Sequence, residues 1–232
     1  MLREHVAGTR PTEEGFESRL HQPTRLENFS DGVFAFALTL LVVSLEVPKS
    51  YVELIATVRG FTSFGFSFAL LATIWALHVR YFKRYGLQDF RISLLNFVLL
   101  FFVLFFVYPL KFLFNGTSAS GGGLDPAQLR IVFAIYGGGF AAVFLTFTLM
   151  YWYAWSLRET LSLNPIERFK TRRSLVDNAA LVLIGLSFIA VARQLPDRWL
   201  GWAGMYFWLI PLYFVFSRRR FLRLHNAGSN QA

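Results

Sequence analysis

Long uninterrupted apolar stretches alternate along the chain with short segments that carry nearly all of the charge. A bilayer core about 30 Å thick is crossed by roughly 20 helical residues at about 1.5 Å each. Six runs reach that length: 29–47, 60–79, 92–110, 131–157, 175–192 and 199–217. The second, third and fourth contain no Asp, Glu, Lys or Arg, and the fourth is long enough to tilt. The first carries Asp31 and Glu46 only near its ends, and the fifth, the shortest, carries Asp177 near its start. Barrel strands would be about ten residues of alternating polarity, so these runs read as helices. The pattern predicts an all-α, polytopic membrane protein with six transmembrane helices over 25–217. An N-terminal tail, 1–24, and a C-terminal tail, 218–232, flank that domain.

Charge sets the expected orientation. Arg3, Arg10, Arg19 and Arg25 precede the first helix, and Arg80, Lys83, Arg84 and Arg91 follow the second. Arg158, Arg168, Lys170, Arg172 and Arg173 follow the fourth, and Arg218, Arg219, Arg220 and Arg223 follow the sixth. These seventeen lie on one side; Lys49, Arg59, Lys111, Arg130, Arg193 and Arg198 make six on the other. The excess predicts a cell-membrane protein with both termini cytoplasmic. An even number of spans gives the same answer. Residues 1–24 lack an apolar core and carry Glu4, Glu13, Glu14 and Glu17, unlike a signal peptide.

Composition adds exclusions. Of the 232 residues, 55% are hydrophobic and only 16% charged, too few to coat a soluble domain of this length. The net charge of +9 sits in short loops, where anionic headgroups rather than nucleic acid attract it. Without cysteine there is no disulfide, thiolate metal site or thiol nucleophile. The outer loop 115–126 is a polar connector of Gly, Ser and Asn that holds one weak glycosylation sequon at Asn115.

No catalytic constellation is visible. Three of the four histidines, His5, His21 and His225, lie in the tails, and no HExxH, GxSxG, Walker loop or paired intramembrane carboxylates occur. The expectation is therefore a protein that is not an enzyme and needs no cofactor. The run Gly137-Gly138-Gly139 lies within an apolar helix and predicts close helix packing. No span has an ionisable residue near its middle, which weighs against carriers that move charge across the bilayer.

The segment Arg25-Leu26-Glu27-Asn28-Phe29-Ser30-Asp31-Gly32 carries the most information. At roughly 100° per residue, with Asp31 at zero, Ala35, Leu38 and Val42 fall at ~40°, ~340° and ~20°. Gly32, Phe36, Thr39, Leu40 and Val43 fall at ~100°, ~140°, ~80°, ~180° and ~120°. The first face is expected to pack inside its own subunit; the second is a narrow apolar stripe with one hydroxyl. Asp31 has two readings. One is a helix-start carboxylate with Ser30 as a neighbouring cap. The other is a buried polar network of Arg25, Ser30 and Asp31 with Trp75, His78 and Asn96. Trp75 and His78 share one helix face, and Asn96 lies at a similar depth.

These residues together resemble a known family. Arg25, then Phe29-Ser30-Asp31, Gly32-Val33-Phe34-Ala35 and Thr39-Leu40-Leu41 are similar to the signature of the transmembrane protein 175 family of potassium channels. Trp75 with His78, and Leu95-Asn96 with Pro109, fit the same pattern, which covers about 25–110. The resemblance implies a homotetramer in which the first helix of each subunit lines a central pore, with potassium as the permeating ion. It further implies selectivity by apolar constrictions and a threonine ring instead of a TVGYG filter. Carried over by position, these are Phe36, Thr39, Leu40 and Val43, with Phe36 departing from the usual Ile or Leu. The alternative expectation is a secondary transporter or proton-permeable cation carrier, which would require midplane charges and inverted repeats.

Overall fold

The computed structural model describes residues 11–12, 16–17, 22–43, 50–118, 125–200 and 202–215. Five long helices dominate: α1 Arg25–Val43, α2 Tyr51–Tyr85, α3 Phe90–Ser118, α4 Pro126–Ser156 and α5 Pro165–Gln194. A short α6, Asp197–Leu200, leads to a 3₁₀ helix, Ala203–Trp208, which continues helically over 209–215. Ahead of α1, Pro11–Thr12 and Phe16–Glu17 pair as an antiparallel hairpin with Thr12 opposite Phe16.

Helix boundaries follow local chemistry. Thr24 and Glu27 form a reciprocal cap at the start of α1: Glu27 N–H donates to Thr24 Oγ1 at 3.3 Å, and Thr24 N–H donates to Glu27 Oε2 at 3.0 Å. The expected role of Ser30 as a neighbouring cap is thereby corrected, because the helix begins a full turn earlier. Pro126 and Pro165 occupy the first positions of α4 and α5, where a missing N–H costs nothing. Asn164 caps α5 by accepting from Glu167 N–H at 2.8 Å. Gly86, at φ 58°, ends α2 in the left-handed conformation that glycine adopts freely.

Among the described residues, four helical stretches are long and apolar enough to cross a membrane: Phe64–Tyr85, Phe90–Val107, Pro126–Ser156 and Pro165–Gln194. The second expected span lies inside a helix of 35 residues, so α2 is much longer than its apolar run. Over the sixth expected span the described residues form the end of α6, the 3₁₀ helix and the helix 209–215, and 201, 216 and 217 lie outside the described residues. Pro196 forces Leu195 into an extended conformation and stops α5. Pro211 withholds one helical N–H, and among the described residues Met205–Val215 forms a shorter apolar helix.

Packing is tightest between α4 and α5. A Cβ on Gly137 would lie 2.6 Å from Ile189 Cγ1 and 3.0 Å from the Gly185 carbonyl. One on Gly139 would lie 2.5 Å from the Phe106 ring of α3. The glycine run thus serves close packing at two of its three positions; Gly138 has nothing within 4 Å. At the end of the bundle where α1 begins, Tyr81, Tyr85 and Tyr151 form an aromatic cluster in which Tyr151 meets the other two edge-on. Two of its hydroxyls reach across helices: Tyr81 donates to the Met150 carbonyl at 2.9 Å, and Tyr85 bonds Thr171 Oγ1 at 2.7 Å.

Candidate functional site

The face that α1 buries is set by its neighbours α2 and α3. Glu27, Ser30, Phe34, Ala37 and Leu41 are buried. On the wheel that sets Asp31 at zero, this row is centred at ~280°. Ala35 and Val42, expected to pack, are exposed, and Leu38 is half-buried. The packing face is therefore turned by roughly a quarter of a circle from the expected one. The cause is polar: Ser30 enters the interior, where it has partners, while the Asp31 carboxylate stays at the margin and keeps part of its water.

Ser30 starts a hydrogen-bonded chain across three helices. Its hydroxyl donates to the Leu26 carbonyl at 2.8 Å, one turn back in α1. Its oxygen then accepts from Asn96 Nδ2 at 2.9 Å. The amide oxygen of Asn96 lies 2.8 Å from His78 Nε2. The polarity follows from the donor inventory. Because the Ser30 proton is committed to Leu26, Asn96 must present its amino group to Ser30 and its oxygen to His78. His78 Nε2 is then the protonated nitrogen, and Nδ1 is a buried atom with no hydrogen-bond partner among the described residues. Phe34 and Phe82 lie against the imidazole at 5.5 Å and 4.7 Å between ring centres.

Asp31 belongs to a second, shallower contact, where its Oδ1 accepts from Trp75 Nε1 at 2.8 Å. Trp75 is 42% exposed, so this bond sits beside solvent or lipid rather than in the core. Arg25 is exposed and has no hydrogen bond or ion pair among the described residues. The structure thus brings together Ser30, Asn96 and His78, and separately Asp31 and Trp75, but not Arg25. Sequence reasoning passes over Glu27, although the Thr24-x-x-Glu27 spacing is a readable capping signal.

The opposite face of α1 is uncovered. Gly32, Ala35, Phe36, Thr39 and Val42 are exposed, and Phe36 is 58% exposed. Leu40 is half-buried, at the margin of that face. Val43 ends the helix, and its side chain lies outside the described residues. Thr39 Oγ1 donates to the Ala35 carbonyl at 2.8 Å. The hydroxyl proton is therefore turned back onto the helix, and the oxygen lone pairs remain as acceptors.

Residues 25–106 match the family described as the endosomal/lysosomal potassium channel TMEM175. A potassium channel of Marivirga tractuosa is 37% identical over 235 residues, with 93% of each chain covered. A potassium channel of Chamaesiphon minutus is 30% identical over 179 residues, covering 72% of this chain and 85% of its own. The crystal structure of a variant of the potassium channel MtTMEM175, in complex with a nanobody fusion protein, is similar at a TM-score of 0.78. That likeness has 34% identity and covers 90% of this chain and 98% of the other.

Proposed function

The chain belongs to the TMEM175 family of potassium channels, and from that membership we propose a potassium-selective homotetramer whose four α1 helices line a central pore. The observation that carries this reading is the uncovered face of α1. One subunit leaves Gly32, Phe36 and Thr39 without a cover, while Ser30, Phe34 and Leu41 hold the opposite face of the same helix.

Selectivity then follows from dehydration and replacement. An apolar bottleneck of Phe36, Leu40 and Val43 admits an ion only as the ion sheds water or the ring stays wet. Potassium holds its shell less tightly than sodium, so such a bottleneck penalises sodium more. Thr39 supplies compensating oxygens, and its bond to Ala35 leaves it able only to accept at the lumen side, which suits a cation. The ion is the cargo; no cofactor takes part. The chain of Ser30, Asn96 and His78 has a positioning role, fixing the rotation of α1 so that Thr39 faces the axis. The excess of Arg and Lys at the end where α1 begins supports an orientation with both termini in the cytoplasm.

Reconstitution into potassium-loaded liposomes tests the reading. Potassium efflux without added ionophore, with a bi-ionic reversal potential favouring potassium over sodium, is expected. Flux with no preference between the two ions, or native mass spectra showing only monomers, would remove it.

A further inference from the structure

The hairpin ahead of α1 buries one apolar residue of a segment whose composition predicts a polar tail. Phe16 is 1% exposed, buried more completely than most residues of the membrane spans. Its ring meets Tyr85 edge-on, with centres 5.6 Å apart and planes at 88°. The Arg84 guanidinium lies over the same ring, 5.0 Å from its centre. Apolar burial, an aromatic pair and a cation–π contact together hold this phenylalanine. The socket is rigid, because Tyr85 is itself tied to Thr171 of α5 and packed against Tyr81 and Tyr151 of α2 and α4.

We infer that the seating of Phe16 on Arg84 and Tyr85 is a regulatory contact that restrains the start of α1 and lowers the open fraction of the pore. This rests on the reading of α1 as the pore-lining helix. Only seven residues separate Glu17 from the first residue of α1, at most about 28 Å of chain. The cap of Thr24 on Glu27 fixes the near end of that connection to α1. With Phe16 seated, α1 is tethered at one end to the junction of α2, α4 and α5. With Phe16 released, that tether is gone while the chain of Ser30, Asn96 and His78 still holds the helix in register.

Two measurements on the full-length protein test it. Trypsin cleavage after Arg19 should be faster in Phe16→Ala by about tenfold or more, the factor that about 1.4 kcal/mol of docking free energy gives. In liposomes the same variant should raise the initial potassium flux by about twofold or more, at an unchanged reversal potential. Equal cleavage rates in variant and parent would overturn the docking, and faster cleavage with unaltered flux would overturn the regulatory role. A parent protein that passes no potassium would refute the channel reading and the regulatory role with it. The trypsin rates would still decide whether Phe16 docks.

Discussion

Asn96 of α3 donates its Nδ2 to Ser30 Oγ of α1 at 2.9 Å, joining positions 66 apart in sequence inside the bundle. Both residues are fully buried, and each makes a further bond, Ser30 to Leu26 and Asn96 to His78. A polar chain of this kind specifies one rotation of a helix, which apolar packing alone leaves loosely defined.

Ser30→Ala removes one acceptor and leaves the Asn96 amino group buried without a partner. The expected loss is about 1–3 kcal/mol of stability. Thermal unfolding in detergent, followed by tryptophan fluorescence, reads it as a lowered Tm. A variant as stable as the parent would show that the chain is not a fixed element of the fold.

Asp31→Ala is expected to cost less than breaking a buried ion pair would. Its partner is the neutral indole of a half-exposed Trp75, and Arg25 stands apart, so about 0.5–1.5 kcal/mol is expected. Trp75→Phe should cost a similar amount, and the double variant little more than either alone. Additive losses in that cycle would mean that the two side chains act independently.

Thr39→Val keeps the shape of the side chain and removes its oxygen. Potassium-over-sodium preference should fall while current persists, seen as a bi-ionic reversal potential moving toward zero. Phe36→Ala and Leu40→Asn should instead raise the leak by widening or wetting the bottleneck. Reversal potentials unmoved in all three would place the filter away from α1, since a folding defect lowers amplitude without shifting potential.

Gly137→Ala and Gly138→Ala differ by one position and should differ sharply in effect. A Cβ at Gly137 collides with Ile189 and the Gly185 carbonyl, an overpacking cost of about 1–3 kcal/mol. At Gly138 the added methyl meets nothing within 4 Å, so the change should be neutral or slightly stabilising. Equal melting temperatures for the two variants would contradict the closeness of α4 and α5.

Much of this arrangement is legible from residues alone. The apolar runs locate α1 to α5, because burying a backbone in lipid demands continuous helix. Trp75, His78 and Asn96 stand out because a polar side chain in an apolar run needs a partner. The rotation of α1 is less legible. A wheel phased on Asp31 treats the carboxylate as the deepest group, whereas Ser30, with its smaller desolvation cost, occupies that position. Over 199–217 the described residues run as short helical pieces on either side of Trp202, and hydropathy carries no sign of the N–H that Pro211 lacks. Phe16 could not be read at all, since one phenylalanine in a polar tail has no periodicity to reveal its socket.

The length of α2 has a mechanical meaning of its own. Its 35 residues make a rod about 52 Å long, against a hydrocarbon slab of about 30 Å. Its apolar run begins at Gly60, so 51–59 stand as a stalk of about 14 Å continuous with the crossing helix. Tyr51, Val52, Leu54 and Val58 on that stalk are exposed in the single chain. Apolar rows of this kind gain free energy by meeting another surface. The stalk and the segment that carries Trp75 and His78 belong to one continuous helix, so a surface that meets the stalk is joined to them without a break.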